Sequence, residues 1–195
     1  MDLKNSETEQ NLMRAFAGES QARNRYTFAG EIANNQKNQM IYLLFKYVAS
    51  QEEAHAKVFM DHLKTAGITN VDITAGYPVD MGEDLASLLK QSNTNELEEH
   101  DNIYKTFAEV ATKEGFTAVA NSFTKIAEIE KHHANLFDEY SKKIKDGMLF
   151  KSTQPEKWIC THCGYIYEGI EAPKVCPVCQ KPQTYYSLLS KSNFE

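Results

Sequence analysis

Glu52-x-x-His55 recurs 78 residues later as Glu130-x-x-His133, and each copy interrupts an apolar stripe of helical spacing. Residues three apart on a helix share a face, so each copy turns a carboxylate and an imidazole toward the same interior. Burying such groups is costly unless hydrogen bonds or a cation neutralise them. Burying them twice restricts the chain to folds that bring both copies to one charge-neutralising place. The copying extends further. Tyr26 precedes Glu52 by 26 residues and Tyr104 precedes Glu130 by the same interval, within the similar runs Tyr26-Thr-Phe-Ala-Gly-Glu-Ile-Ala33 and Tyr104-Lys-Thr-Phe-Ala-Glu-Val-Ala111. Such a repeat predicts a duplicated helix pair packed about a pseudo-twofold axis.

Four helices are legible. A capping box, Ser6-x-x-Glu9, opens the first, whose stripe is Leu12, Phe16, Glu19, Ala22, Tyr26, Ala29 and Ala33. The second carries Ile41, Leu44, Phe45, Val48, Glu52, His55, Phe59 and His62 on one side. Residues 65–80, with Gly67, Gly76 and Pro78, break the periodicity for long enough to cross a bundle from end to end. Asp80-x-x-Glu83 offers a capping box for the third helix, with stripe Leu85, Leu88, Leu89, Ser92, Glu96, Glu99, Ile103, Phe107 and Val110; Glu98 points away, and Gly115 ends the helix. The fourth, from Phe116, presents Val119, Phe123, Ile126, Glu130, His133, Phe137, Tyr140 and Ile144. His132 stands about 100° from that face.

Packing these helices antiparallel brings Glu19, Glu52, His55, Glu96, Glu99, Glu130 and His133 to one level. A Glu from each of two helices plus a Glu-x-x-His from each of the other two is the known plan of ferritin-like di-iron carboxylate bundles. A lone Glu-x-x-His is ordinarily a solvated pair, but two copies with acids on the remaining helices favour two adjacent divalent ions. Oxygen-rich ligation suits iron or manganese. Tyr26 and Tyr104 read either as core filling or as phenols bonded to ligand carboxylates. Copying Glu19 forward by 78 residues lands on Leu97, so the third helix does not repeat the first residue for residue.

All four cysteines fall between 160 and 179, as Cys160-x-x-Cys163 and Cys176-x-x-Cys179. Four thiolates at this spacing form a tetrahedral metal knot, with structural zinc the plain alternative to iron. The expected organisation is a bundle over 1–147, a linker over 148–156 and a knot over 157–195, the last too small to hold a core without a metal. A hydrophobic content of 42% with 25% charge fits a soluble globular protein. The net charge of -6, with no basic stripe, argues against nucleic acid and anionic membrane as partners. The first ten residues carry no apolar run after a basic start and no segment approaches a bilayer span, so a cytoplasmic location is expected.

The flanks Trp158-Ile-Cys160-Thr-His-Cys163-Gly-Tyr-Ile-Tyr167-Glu-Gly169 and Cys176-Pro-Val-Cys179 look like a rubredoxin. With Phe16-Ala-Gly-Glu-Ser-Gln-Ala-Arg-Asn-Arg-Tyr26 and Glu52-Glu-Ala-His55, the chain resembles the rubrerythrin family along essentially its whole length. That resemblance implies an all-α four-helix ferritin-like bundle followed by a small β/loop rubredoxin-like domain. It implies a non-haem iron peroxidase that reduces hydrogen peroxide in the oxidative-stress defence of an anaerobic or microaerophilic organism. Two irons would be held by Glu19, Glu52, Glu96, Glu99, Glu130 and His133, with His55 and Glu99 exchanging at one iron between redox states. A third iron, held by Cys160, Cys163, Cys176 and Cys179, would relay electrons from rubredoxin or a NAD(P)H-dependent reductase. A homodimer in which one subunit's knot faces the other's bundle is also implied. Gln180 departs from the glycine usual after the last cysteine. The competing functions are a ferritin-like ferroxidase, which would need no electron inlet, and a non-enzymatic module displaying a zinc ribbon.

Overall fold

The computed structural model describes residues 2–80, 82 and 84–191. Its helices are α1 (Glu7–Asn35), α2 (Gln39–Thr65), α3 (Leu85–Glu98), α4 (Tyr104–Lys113) and α5 (Thr117–Lys145), with a π-helical turn, Glu99–Ile103, joining α3 to α4. Because α3, the turn and α4 run on as one rod, the bundle has the four members expected. Ser6 caps α1 by accepting from the Glu9 amide at 3.0 Å, while the Glu9 carboxylate reaches past Ser6 to the Asn5 amide at 2.8 Å. The cap of α3 lies later than the spacing suggested. Asp84 accepts from the Ser87 amide, and Asp80 is instead engaged by Arg25 and Asn95; Glu83 lies outside the described residues.

The sequence repeat is visible as two aromatic triads. Tyr26 packs against Phe45 and Phe137, with ring centroids 6.1 and 5.2 Å away; Tyr104 packs against Phe123 and Phe59 at 5.9 and 5.6 Å. A shift of 78 residues carries Tyr26 to Tyr104, Phe45 to Phe123 and Phe59 to Phe137, so the triads are copies of one another. Each anchors one of two apolar clusters. Along α1, α2 and α5 the acids and histidines fall between the residues of one cluster and those of the other. A fully buried aromatic or aliphatic side chain contributes about 1.5–3 kcal/mol, and these two clusters offset the cost of the polar layer between them.

The π turn accounts for the Leu97 mismatch. Seven residues separate Glu19 from Tyr26 on α1, but eight separate Glu96 from Tyr104. A π turn accommodates one extra residue in a helix, so the added residue is absorbed and both Glu96 and Tyr104 still face inward, each 1% exposed. The same phase change turns Phe107 and Val110 to half-buried positions, whereas the unbroken stripe predicted them fully inside.

Beyond α5 the sheet has the order β2-β1-β3, all antiparallel, from β1 (Lys151–Cys160), β2 (Ile166–Glu171) and β3 (Tyr186–Leu188). Strand β1 begins inside the 148–156 segment. Trp158, 1% exposed, fills the small core with Tyr186 and donates its indole N–H to the Gly169 carbonyl at 2.8 Å. The sheet unit rests on its own bundle. Lys191 pairs with Glu139 of α5 at 3.1 Å, and a cavity of about 820 Å³ lies between Tyr47, Ser50 and His132 on one side and Cys160 and Thr161 on the other. Among the described residues no helix is long and apolar enough to cross a membrane.

Candidate metal centres

Two groups of four side chains converge between the apolar clusters. One contains Glu19, Glu52, His55 and Glu130, the other Glu52, Glu96, Glu130 and His133, with the donor atoms of each group within 4.8 Å of one another. All are buried. Glu52 and Glu130 belong to both. The His55 Nδ1 lies 2.9 Å from Glu130 Oε1 and 3.5 Å from Glu52 Oε2, while the His133 Nδ1 lies 2.8 Å from Glu130 Oε2 and 3.1 Å from Glu52 Oε1. Each of these two carboxylates therefore offers one oxygen to each side. Glu19 completes the first side, 3.7 Å from His55, and Glu96 the second, 3.4 Å from His133.

These atoms are poorly matched to one another. Glu19 Oε2, both Glu52 oxygens, His55 Nδ1, Glu96 Oε2 and Glu130 Oε1 are buried and make no well-directed hydrogen bond, a costly condition for charged groups in a closed interior. Their charge states are strained as well. Burial, then the Glu130 and Glu52 charges, push the Glu19 carboxyl well above the usual carboxylate range; burial, then Glu52 and Glu130, do the same to Glu96. Glu52 moves the other way: burial opposes its ionisation, but the approach of His133 and His55 holds it below that range. Burial also opposes charge on the imidazoles, yet the carboxylates, Glu130 foremost, raise His55 well above its ordinary value and His133 to about 12. Protons are thus held where cations fit. Two divalent ions, each facing three carboxylates and one imidazole, would neutralise the layer and engage every stranded atom, and the oxygen-rich donor set matches iron.

The next layer holds these carboxylates and an imidazole in place. The Tyr104 hydroxyl donates to Glu19 Oε1 at 2.5 Å, and the Tyr26 hydroxyl donates to Glu96 Oε1. The repeat thus gives each outer carboxylate a phenol from a different helix. The His133 Nε2 faces Gln51 Oε1 at 2.6 Å, which sets the ring with Nδ1 toward the carboxylates. Gln51 carries no motif signal, since 78 residues on stands Ile129. Glu99 is left out of both groups. It is half-buried on the π turn and lines a cavity of about 330 Å³ that Tyr104 also lines. Burial, Glu130 and Glu52 raise its carboxyl well above the usual range.

The four cysteines are unbridged. Cys160 Sγ lies 3.7 Å from Cys179 Sγ, and Cys163 Sγ lies 3.6 Å from Cys176 Sγ. A disulfide is about 2.05 Å long, whereas bonds of about 2.3 Å to a central ion give a tetrahedral edge of about 3.8 Å. The four sulfurs are spaced for a metal. Although burial opposes it, the Tyr186 hydroxyl and the Cys179 and Val178 amides lower the Cys176 thiol to about 6. His162 is exposed and packs edge-on against Tyr185 at 6.1 Å. Gln180 takes the left-handed φ of 60° that a glycine would adopt without strain.

Known proteins resemble this chain over nearly its whole length. A family model described as rubrerythrin matches residues 10–141 and 87–161, and one described as rubrerythrin, rubredoxin-like domain matches 158–187. A rubrerythrin of Clostridium perfringens is 40% identical over 191 residues, covering 97% of this chain and 98% of that protein. Among solved structures, the mixed-valence state of nigerythrin superposes with a TM-score of 0.62 at 23% identity, over 95% of this chain and 90% of that one. A Desulfovibrio desulfuricans bacterioferritin superposes with a TM-score of 0.67 at 21% identity, over 73% and 82%. Both likenesses establish the ferritin-like fold.

Proposed function

The chain belongs to the rubrerythrin family, and from that premise we propose that it is a non-haem di-iron peroxidase that reduces hydrogen peroxide to water. When bound, the iron pair supplies two electrons, one per ion, to the O–O bond of peroxide, and the thiolate-held iron supplies replacements singly from an external donor, rubredoxin or a NAD(P)H-dependent reductase. In this reading Glu52 and Glu130 would serve both ions, Glu19 and His55 would help hold one, and Glu96 and His133 the other. Glu99, half-buried one turn from Glu96, would offer a further carboxylate to the His55 side. Two waters require two protons. Tyr26 and Tyr104 are placed to hold them, because burial and the adjoining carboxylates, Glu96 and Glu19 respectively, push both phenols well above their ordinary value.

The observation that carries this reading is the four-thiolate knot lying against the bundle that holds the carboxylate layer. A ferroxidase or a store needs no such electron inlet. The relay from the knot, the homodimer in which one subunit's knot faces the other's bundle, and the external donor belong to the same reading. The test is anaerobic rapid mixing of the reduced protein with hydrogen peroxide and, separately, with oxygen. Faster oxidation by peroxide is expected. Faster oxidation by oxygen would overturn the peroxidase in favour of an iron-oxidising role.

A further inference from the structure

The crossover between α2 and α3 is more than a connection. Its residues Ala75, Gly76, Tyr77 and Pro78 wall the cavity of about 330 Å³ whose lining also includes Glu99 and Tyr104. Tyr104 bonds Glu19, so that single phenol separates the cavity from the outer carboxylate of the His55 side. The Tyr77 ring lines this cavity while remaining 39% exposed, and so borders both the cavity and solvent. Its seat is built. The ring lies over Gly18, where a Cβ would meet Tyr77 Cε1 at 3.5 Å, and its hydroxyl donates to the Arg14 carbonyl at 2.8 Å. The strap is fixed on both sides of the ring. Arg14 Nε reaches the Thr74 carbonyl at 3.4 Å, and Asp80 is held by Arg25 at 2.8 Å and by Asn95 at 3.0 Å.

We propose that Tyr77 is a specificity-determining residue, its strapped ring admitting hydrogen peroxide to the carboxylate layer and excluding hydroperoxides with bulky alkyl or aryl groups. The proposal rests on the peroxidase reading. Both substrates undergo the same balanced step: the O–O bond breaks, two ferrous ions give one electron each, and two protons convert ROOH to ROH and water. Discrimination therefore lies in access and not in the chemistry.

The test uses the full-length, iron-loaded protein, reduced anaerobically and mixed with hydrogen peroxide or cumene hydroperoxide. Tyr77→Ala should lower the ratio of the two oxidation rates by on the order of tenfold or more, a size set by steric exclusion. Tyr77→Phe, which keeps the ring, should hold that ratio close to the wild-type value. A second readout does not depend on turnover. In an Ala15→Cys background, a thiol on the cavity wall is labelled with methyl methanethiosulfonate and with a bulky maleimide, and the site is read by peptide mass. Tyr77→Ala should speed the bulky reagent over the small one by a similar factor. Unchanged ratios in both assays overturn the proposal. Wild-type protein inert to hydrogen peroxide would remove the peroxidase reading, while the labelling ratio would still decide whether Tyr77 gates the cavity.

Discussion

Removing the metal should reverse the pH dependence of the bundle's stability. In the metal-free protein, burial and neighbouring carboxylates raise Glu19, Glu96 and Glu99; against burial, the carboxylates raise His55 and His133. A group whose folded pKa exceeds its unfolded value is stabilising below the unfolded pKa, and that stabilisation is lost as pH climbs toward the folded value. The loss begins near 4.5 for the carboxyls and near 6.5 for the imidazoles. Glu52, shifted downward from 4.5, acts only in more acid solution. Between about pH 5.5 and about pH 8, these raised groups therefore all push the same way. One net proton retained on folding corresponds to ~1.4 kcal/mol per pH unit. At about 2–4 °C per kcal/mol for a chain of this size, the metal-free melting temperature should fall by roughly 3–6 °C per pH unit for each such proton. Metal binding displaces those protons, so the stability of the loaded protein should rise with pH; each ion present at 100 times its Kd adds ~2.7 kcal/mol. Calorimetry of chelator-treated and anaerobically ferrous-loaded samples across this range provides the comparison. A metal-free melting temperature that is flat or rises with pH would refute the assignment of shared protons to the closed layer.

Three further outcomes follow from the packing. Phe59→Ala and Phe137→Ala remove repeat-related members of the two triads, and each should cost about 3–5 kcal/mol in urea unfolding; a large effect at only one position would contradict their equivalence. Gln51→Leu leaves the His133 Nε2 without its acceptor and should weaken ferrous binding by roughly 10–100-fold in an anaerobic titration, with unchanged affinity counting against a positioning role. Gln180→Gly should relieve about 1 kcal/mol of left-handed backbone strain and slow loss of the knot's metal to a chelator; faster loss would show that the Gln180 side chain matters more than its φ.

Much of the fold was legible because the chemistry left periodic traces. Glu52, His55, Glu130 and His133 interrupt apolar stripes twice at one interval, and the structure brings all four together with Glu19 and Glu96. The two tyrosines read either as core or as phenols bonded to carboxylates, and the structure joins the two: each ring completes an aromatic triad and each hydroxyl bonds an outer carboxylate. The third rod was harder, because a π turn absorbs a residue without marking the sequence. The regular helix used to choose Glu96 and Glu99 places both on the inner face, whereas the turn keeps Glu96 inside and leaves Glu99 at the cavity wall. Gln51 was invisible for a different reason: a neutral amide at the edge of a stripe has no periodicity and no repeated partner. Asp80 misled through local resemblance to a cap, since its real partners, Arg25 and Asn95, are distant in sequence.

On the peroxidase reading, one layer of the bundle gathers two irons. Crystals of the anaerobically ferrous-loaded protein, measured at the iron absorption edge, should show two anomalous peaks between Glu52 and Glu130, one beside Glu19 and His55 and the other beside Glu96 and His133, and a third among the four cysteines. A single peak in the bundle, or iron confined to the cysteine knot, would contradict the account.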